Sequence, residues 1–421
     1  MMYTLKKLVP QEMKNIYHLL MALVANIRYS FPAREIPIVA VTGTDGKTTT
    51  VAMIAEIMRM AGKKVAVAST VEFCVGEDCE VNATKFTTLS SMKLQAFLRR
   101  AVHEKCDIVV LEVSSHSLDQ NRVWGIRPEI AVLTNITREH LDYHGSMERY
   151  RKAKRKLFLM SKKHIINTGL EDHGSFVVCP HCTLLYGSQE IEKKNDAHKR
   201  LHLSKVKSDT KGVLFSVNNH EIFLPLSGVY NAENALAAIG VAREMNISWD
   251  DITIALKGFK QVPGRFEWIK NKKGFHILID YAVTPWALEN LYKTLGEIRK
   301  QGNIIAVFGS CGDRDRGKRP IMGEIVDQSA DVIILTDEDP YWEDPKQILD
   351  EVEMGIQNKE KNKTLFRIHD RRKALKKAFS LAKKGDYIVI TGKGAEETMM
   401  IQGKMIPWND KQVVEEILKK I

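Results

Sequence analysis

A glycine- and threonine-rich segment near the start of the chain, "GTDGKTT" from Gly43 to Thr49, has the residue types of a phosphate-binding loop. It follows the apolar run "IPIVAV" and opens a helical pattern. Glycines let backbone amides approach phosphate oxygens, and a helix N-terminus adds a favourable dipole. In such a loop Lys47 would contact the β- and γ-phosphates, and the hydroxyl of Thr48 would ligate Mg²⁺. The spacing from Gly43 is shorter than in the usual G-x-x-x-x-G-K-[ST] pattern, but the strand–loop–helix context fits.

Two other side chains could ligate the same metal. Glu112 ends the apolar run "DIVVLE", and His140 follows the run "IAVLTNIT". The carboxyl ends of parallel strands share one edge of a sheet with the loop after the first strand. Taken singly, either residue is equally well explained as a surface residue. Their common placement favours convergence of Lys47, Thr48, Glu112 and His140 on one magnesium–triphosphate site.

Short β-branched runs alternate with helical patterns from residue 36 onward, which predicts an α/β fold with a mostly parallel sheet. A more polar region over 165–225 predicts short strands and turns. The rhythm restarts at "FHILIDYA", "NIIAVFGS", "DVIILTDED" and "DYIVITGKG". We therefore expect a helical N-terminal segment over 1–36, a P-loop-type central domain over 37–268 and a Rossmann-like C-terminal domain over 269–421, with the boundary between Gly264 and Lys273.

The overall charge and the apolar runs narrow the possible partners. A net charge of +11 favours acidic partners such as nucleotides. Aromatic residues do not alternate with basic ones, so nucleic-acid binding is not expected. The run "LLMALVANI" is too short to span a bilayer, so we expect no transmembrane segment. The pattern around it predicts either a packing helix or a helix lying on a membrane surface.

The six cysteines show no framework spacing, which predicts reduced thiols in a cytoplasmic protein. The pair in "CPHC" lacks the two further ligands that a zinc site would need.

Eight segments, in this order, resemble the motifs of the Mur ligases. They are "TGTDGKTTT", "EVSSHSLDQNRV", "TNITREHLDYHGSMERYRKAKRKLF", "SGVYNAENALAA", "VPGRFE", "DYAVTP", "GSCGDRDRGKRPIMG" and "TGKGAEE". The chain is most similar to the MurE type, which adds the third residue to UDP-N-acetylmuramoyl-dipeptide. The similarity runs from about residue 37 to the C-terminus.

The resemblance implies an ATP-dependent amide synthetase of peptidoglycan precursor synthesis, and hence of cell-wall biogenesis, cell shape and cell division. ATP would phosphorylate the terminal carboxylate of a muramoyl-peptide acceptor, and the amine of a free amino acid would displace the phosphate. A carboxylate is a poor electrophile, because its leaving group would be oxide. The implied cofactors are ATP, two Mg²⁺ ions and a CO₂-derived carbamate on Lys154.

The resemblance also assigns residues by motif. For ATP they are Gly43, Thr44, Asp45, Gly46, Lys47, Thr48, Thr49, Asn231, Asn234, Arg265 and Asp280. Lys47, His140 and Lys154 carry catalysis in this reading. The metal ligands are Thr48, Glu112, His140 and the carbamate of Lys154. For the acceptor and the amino acid they are Thr87, Thr88, Ser114, Gln120, Arg122, Arg314, Glu338, Asp339, Tyr341, Gly392 and Glu396. Structural alternatives remain open for three of them: Lys154 as a surface lysine, and Arg265 and Asp280 as a salt bridge.

The sequence departs from the family pattern at several points. Val283 replaces the histidine of "DYAHTP", "TTLSS" replaces "TTPD", and Ala395 stands where histidine is common. Tyr341 stands at the arginine of the D-N-P-R motif, which pairs with the distal carboxylate of meso-diaminopimelate. Acidic Glu338, Asp339 and Glu343 instead suggest a cationic side chain such as that of lysine.

The usual N-terminal domain that grips uridine diphosphate is not expected, because only residues 1–36 precede the first strand. A partner could supply recognition of UDP or of another carrier. Two alternatives to a MurE-like ligase stay open. One is a related ligase acting on a lipid-linked muropeptide or a folylpolyglutamate-like acceptor. The other is a nucleotide-binding subunit without activity, against which the intact Lys47, Thr48, Glu112, His140 and Lys154 argue.

Overall fold

The computed structural model describes residues 10–84, 86–188 and 199–420. The helices are α1 (Gln11–Arg28), α2 (Lys47–Met60), α3 (Ser91–His103), α4 (Ser115–Asp119), α5 (Leu141–His144), α6 (Met147–Met160), α7 (Val229–Glu244), α8 (Trp249–Lys257), α9 (Pro285–Ile298), α10 (Arg319–Ser329), α11 (Pro345–Glu353), α12 (Arg371–Leu381) and α13 (Asp410–Leu418). The predicted N-terminal helix thus appears as α1, and the part of that prediction on residues 1–9 lies outside the described residues.

The strands are β1 (Ile38–Thr42), β2 (Val65–Ala68), β3 (Glu72–Val75), β4 (Asp78–Val81), β5 (Ile108–Glu112), β6 (Ile130–Leu133), β7 (Lys163–Asn167), β8 (Thr183–Gly187), β9 (Lys199–Asp209), β10 (Gly212–Val217), β11 (His220–Leu224), β12 (Glu267–Trp268), β13 (His276–Asp280), β14 (Ile304–Phe308), β15 (Val332–Leu335), β16 (Leu365–Arg367), β17 (Tyr387–Thr391), β18 (Thr398–Ile401) and β19 (Lys404–Pro407).

The first sheet has the order β11-β10-β9-β8-β7-β6-β1-β5-β2-β3-β4. Its centre, from β9 through β1 to β2, is parallel. Strands β1, β5 and β6 are buried along their whole length, as expected for apolar β-branched runs covered on both faces by helices. The polar region over 165–225 supplies β8 to β11, and β9 to β11 form an antiparallel edge.

The second sheet has the order β12-β13-β17-β14-β15-β16 and is parallel except at β12. Separate apolar clusters lie on its two faces, under α9 and α10 on one side and under α12 and α13 on the other. The predicted α/β class, with a mostly parallel first sheet and a Rossmann-like second one, is confirmed. Among the described residues, we find no helix whose length and apolar character would suffice to cross a membrane.

The cysteines differ from the prediction. Cys74 on β3 lies directly opposite Cys79 on β4, and the two form a disulfide. Cys179 and Cys182 form a second one. The hairpin register brings the first pair together, and a spacing of five residues gave no sign of that pairing. The expectation of uniformly reduced thiols is therefore wrong for these four cysteines.

Candidate active site

The phosphate-binding loop lies between β1 and α2, as predicted. Gly46 begins the helix in the left-handed region with φ 79°, and a Cβ there would lie 2.3 Å from Oδ1 of Asn234, so only glycine fits. The carbonyl of Asn135 accepts a bond from the amide of Thr44 at 2.9 Å and orders the loop. Nζ of Lys47 donates to the carbonyl of Thr44 at 2.7 Å, which holds the ammonium over the loop.

Glu112 meets this loop from the end of β5. Its buried carboxylate accepts bonds from Oγ1 of Thr48 at 3.0 Å and from the amide of Thr70 at 2.9 Å. Its other oxygen lies 4.0 Å from Nζ of Lys47. The structure thus brings together a lysine, a hydroxyl and a carboxylate at the end of the first sheet, where the sequence predicted them.

His140 faces the same cleft from the residue before α5. It has a left-handed backbone, with φ 58°, and its ring packs edge-on against that of His116, with 4.6 Å between centroids. Nδ1 of His140 is buried and forms no hydrogen bond with any of the described residues. Burial, reinforced by nearby cations, holds the pKa of His140 well below its usual value. A neutral imidazole with an unused nitrogen is a suitable metal ligand.

Lys154 is not a surface lysine. It projects from α6 under the phosphate-binding loop, is 1% exposed, and donates from Nζ to the carbonyl of Gly43 at 2.6 Å. Nζ lies 4.6 Å from the ring centroid of Tyr150. Burial, and secondarily the charge of Lys47, holds the pKa of Lys154 well below its usual value. This burial favours the neutral, nucleophilic form of the amine over the charged one.

Two asparagines of α7 form the next part of the cleft. Asn231 donates to the carbonyl of Ser227 at 2.8 Å, and Asn234 donates to Oδ1 of Asn231 at 3.4 Å. Both are buried and line the cleft beside Gly46. The sequence predicted their place but not their mutual bond.

Arg265 and Asp280 close the cleft from the second sheet. Arg265 donates to Oγ1 of Thr48 at 3.3 Å and lies over the ring of Tyr281, 4.2 Å from its centroid. Asp280 accepts a bond from the amide of Phe266 at 2.6 Å. Among the described residues Asp280 forms no salt bridge within 4.0 Å, so the alternative of an Arg265–Asp280 pair is not observed.

Burial raises the pKa of Asp280 to about 6, against the opposing charge of Arg265. Between pH 3.8 and about 6 the folded protein binds this proton more tightly than the unfolded chain does, so wild-type stability falls as pH rises through that window. We expect the free energy of unfolding of Asp280→Asn, measured by urea denaturation, to exceed that of wild type by about 1–3 kcal/mol at pH 8. Below pH 4 the two free energies should be equal. Exposed Asp172→Asn is the control, and no pH-dependent gain in Asp280→Asn would contradict the assignment.

The predicted acceptor residues lie beside the cleft. Thr87 lines it, while Thr88 is buried and accepts a bond from the amide of Ser114 at 2.9 Å. Arg122 donates to the carbonyl of Thr88 at 2.9 Å, and its Nε is buried without a partner within the described protein. Gln120 ends the short helix α4 that positions this group.

A group of aromatic and histidine side chains around the acceptor residues was not predicted. The ring of Tyr143 packs on His116 with 4.3 Å between centroids, and its hydroxyl donates to Asp119 at 2.9 Å. His144 contacts Oγ of Ser115 at 3.0 Å. Burial lowers the pKa of His116 to about 3, so the ring is neutral. The motif "HLDYHG" contains Tyr143 and His144, and the motif "EVSSHSLDQNRV" contains Ser115, His116 and Asp119, but neither motif indicated that these side chains would pack together.

The amino-acid side of the cleft is built on the second sheet. Arg314 lies over the ring of Tyr341, 5.2 Å from its centroid. Burial raises the pKa of Glu338, whose Oε1 accepts a bond from the thiol of Cys311 at 2.8 Å. A Cβ on Gly392 would lie 2.2 Å from Oε2 of Glu338, so glycine is needed behind this carboxyl.

The other acidic residues of this pocket already contact cations. Asp339 accepts a bond from Nζ of Lys393 at 2.8 Å, and Lys393 also contacts Glu396. Glu343 forms a two-pronged pair with the fully buried Arg319, at 2.8 and 2.7 Å. The carboxylates of Asp339 and Glu343 therefore each contact a cation within the protein, whereas Glu338 forms no salt bridge among the described residues.

A hydroxyl bridge links the two sheets at the cleft. Oγ1 of Thr284, at the start of α9, donates to the carboxylate of Asp45 at 3.1 Å. Thr137 donates to the same carboxylate at 3.3 Å. Asp45 was predicted as a nucleotide-binding residue only, and its contact with the second sheet was not foreseen.

Two ion pairs accompany this bridge. Nζ of Lys318 lies 2.9 Å from both carboxylate oxygens of Glu139 and donates to the carbonyl of Val283 at 2.8 Å. Nε of Arg138 donates to Asp315 at 3.0 Å. Val283, at the position of the histidine in the family motif, thus contributes its backbone carbonyl to the contact with Lys318. Its side chain has no polar atom and cannot replace the histidine.

Most of the predicted residues line one cleft of about 250 Å³ between the two sheets. They are Thr44, Asp45, Gly46, Lys47, Thr48, Thr49, Thr87, Glu112, His140, Asn231, Asn234, Arg265, Asp280, Arg314, Glu338, Asp339, Tyr341 and Glu396. The remaining ones lie behind the lining or beside it: Gly43, Thr88, Ser114, Gln120, Arg122, Lys154 and Gly392.

Comparisons with known proteins show the family to which the chain belongs. Residues 41–242 match the Mur ligase middle domain, and residues 264–394 match the Mur ligase, glutamate ligase domain. The UDP-N-acetylmuramoyl-L-alanyl-D-glutamate–2,6-diaminopimelate ligase of Syntrophomonas wolfei is 38% identical over 408 residues, which are 95% of this chain and 81% of the relative. The ligase of the same name from Bacteroides fragilis is 37% identical over 391 residues, covering 92% and 79%.

Solved structures are also similar. A UDP-N-acetylmuramoyl-L-alanyl-D-glutamate–2,6-diaminopimelate ligase shares 31% identity with a TM-score of 0.61, over 91% of this chain and 78% of that one. A pseudomurein peptide ligase type C from Methanothermus fervidus has the same fold, with 22% identity and a TM-score of 0.67, over 91% and 79%. The chain therefore belongs to the Mur ligase family of ATP-dependent, magnesium-requiring ligases, and within it resembles the MurE type.

Proposed function

We propose that this protein joins an amino acid to the terminal carboxylate of a muramoyl-dipeptide, in the cytoplasm, during peptidoglycan precursor synthesis. The observation that carries the proposal is the single cleft where the phosphate-binding loop, Glu112 and His140 face Arg314 and Tyr341 of the second sheet. Such a cleft holds a triphosphate, a carboxylate and an amine within reach of one another. We assign the domain over 37–268 to nucleotide and acceptor, with Asp280 added from the second sheet, and the rest of the domain over 269–421 to the incoming amino acid. The second sheet already begins at β12 (Glu267–Trp268), two residues before that boundary.

The side chains present fit magnesium. Glu112 and the hydroxyl of Thr48 are oxygen ligands 3.0 Å apart, and His140 adds a buried nitrogen that forms no hydrogen bond within the described protein. When bound, Mg²⁺ supplies charge neutralisation on the triphosphate oxygens. Lys47, whose Nζ lies 4.0 Å from the carboxylate of Glu112, would add a second positive charge beside the loop, and the amides at the start of α2 would bind the phosphates.

We infer that Lys154 is carbamylated. A carbamate forms when a neutral amine attacks CO₂ and loses a proton, and burial of Lys154 favours the neutral amine. The product is an anionic oxygen ligand where an uncharged nitrogen stood. That chemistry suits a second magnesium, because Lys154 already reaches the carbonyl of Gly43 at the base of the phosphate-binding loop.

Arg122 is assigned to the anionic acceptor. Its guanidinium donates to the carbonyl of Thr88, while its buried Nε has no partner among the described residues, so a substrate oxygen can complete the set. We expect Arg122→Ala to raise KM for the muramoyl-dipeptide at least about tenfold, with a smaller change in KM for ATP. Steady-state kinetics with each substrate varied in turn measures this. The half-exposed Arg151→Ala is the matched control, and an unchanged acceptor KM in Arg122→Ala would contradict the role.

For the added amino acid we propose a diamino acid without a distal carboxylate, such as lysine. Arg314 is assigned to the α-carboxylate. Among the described residues, the other cations behind the pocket are already paired: Lys393 with Asp339, and Arg319 with Glu343. A distal carboxylate would therefore meet Tyr341 rather than a cation. Glu338 is left to accept a bond from a terminal ammonium.

An amino-acid panel assayed with UDP-muramoyl-dipeptide tests both substrates at once. We expect phosphate release that depends on acceptor and amino acid together, with lysine used faster than meso-diaminopimelate. Faster use of diaminopimelate, the amino acid named for the relatives, would overturn the pocket assignment alone. Turnover only with a muropeptide on another carrier would instead place UDP or carrier recognition on a partner. No turnover with any muropeptide would overturn the proposed function.

A further inference from the structure

Helix α1 carries an uninterrupted apolar stripe on its outer face. The exposed fractions of its members run from 38% at Leu23 to 61% at Ile27. Steps of three and four residues place them on one side of the helix. The members of this stripe are Met13, Ile16, Tyr17, Leu20, Leu23, Val24 and Ile27.

The opposite side of α1 is fixed to the body of the protein. Ala22, Ala25 and Asn26 are fully buried, and α1 packs against α3. The amide of the Asn26 side chain donates to the carbonyl of Trp124 at 3.0 Å. These contacts fix the orientation of α1, and the stripe therefore faces away from the body of the protein.

The stripe is large enough for a stable interface. Its side chains expose on the order of 800 Å² together, which is what one partner contributes to an interface of standard size. Single exposed apolar residues are common on monomers, but a continuous patch of this extent usually marks an interaction site.

The stripe is also symmetric about Leu20. Met13 and Ile27 lie seven residues on either side of it, and the remaining members form two further pairs at four and three residues. Glu12 precedes the stripe and Arg28 follows it, and both are exposed. Two antiparallel copies would place each side chain level with its counterpart and bring opposite charges to each end. Two parallel copies would bring like charges together.

We propose that α1 is a two-fold dimer interface, in which the stripe of one chain packs antiparallel against the stripe of a second copy, centred on Leu20. The antiparallel arrangement also opposes the two helix dipoles favourably. A membrane surface fits less well. The charged side chains of α1 are Glu12, Lys14 and Arg28, so the stripe lacks the basic rim that anchors an interfacial helix to anionic lipid.

Sedimentation equilibrium of the full chain at micromolar concentrations tests the proposal. We expect a dimer for wild type, and for Leu20→Glu a dimer dissociation constant raised at least about hundredfold, because two carboxylates would meet at the symmetry axis. Ile254→Glu, which places the same charge on a 55% exposed isoleucine of α8, should remain dimeric. Circular dichroism and thermal unfolding check that both variants fold.

The orientation has its own test. Met13→Cys mixed with Ile27→Cys should give a crosslink between positions 13 and 27, identified by peptide mass spectrometry. Met13→Cys alone should give none, since its two copies lie about 21 Å apart along the antiparallel pair.

A monomeric wild type overturns the proposal, whether the stripe is covered by residues 1–9 of its own chain or by nothing. Flotation of a monomer with vesicles of anionic and zwitterionic lipid would assign the stripe to membranes instead. A dimer that persists in Leu20→Glu, or that crosslinks 13 to 13, also overturns it.

Discussion

Replacing Lys47 by alanine is expected to lower kcat for ligation by at least about a thousandfold, because a charge that neutralises a transferring phosphoryl group is lost. Nζ of Lys47 lies over the loop, bonded to the carbonyl of Thr44 and 4.0 Å from Glu112. The measurement is phosphate release that requires both acceptor and amino acid, with thermal unfolding as the check on the fold.

Exposed Lys63, just beyond the end of α2, provides the matched control, since Lys63→Ala removes the same charge outside the cleft. A Lys47→Ala enzyme with near wild-type kcat would show that this lysine does not contact the reacting phosphate. Calorimetric titration with ATP separates loss of binding from loss of chemistry.

The second large effect is expected at Lys154. Lys154→Ala and the bulkier Lys154→Met should both lower kcat at least about a thousandfold, since neither can form a carbamate that ligates metal. Wild-type activity should fall when CO₂ and bicarbonate are removed, and should return when bicarbonate is added. Lys152→Ala, on the exposed side of the same helix, should respond like wild type.

A spectroscopic test of Lys154 does not depend on activity. Wild-type protein equilibrated with ¹³C-bicarbonate should show a carbamate carbon resonance that is missing from Lys154→Met. If that resonance is missing from wild type as well, or persists in the variant, Lys154 acts as an amine and the assigned metal ligand is wrong.

The residues of the cleft that lie at the ends of predicted strands could be placed from the sequence alone. The loop at Lys47 and the strand end at Glu112 are read from short apolar runs, and parallel pairing then places both at one sheet edge. Lys154 needed more than periodicity. Its helix is rich in lysine and arginine, and only packing shows which of these side chains points inward.

Contacts between distant segments could not be read in this way. The sequence predicted that the carboxylates of Asp339 and Glu343 would contact a substrate. It did not indicate that Asp339 pairs with Lys393 and Glu343 with Arg319, because each partner lies in a different motif. The disulfide of Cys74 depends on a hairpin register that no apolar pattern specifies. In each case the missing information is a pairing between elements.

The contacts across the cleft have a further consequence for how substrates arrive and products leave. Thr284 and Asp45, and Arg138 and Asp315, join the two halves through polar groups that water can solvate when they separate. Asp45 belongs to the phosphate-binding loop. Separation of the two domains therefore breaks the Asp45–Thr284 bond and opens the nucleotide site in the same movement. The ion pair between Arg138 and Asp315 would weaken as the salt concentration rises, because salt screens the attraction between exposed charges. The pace of turnover would then depend on ionic strength even when no reacting group is altered.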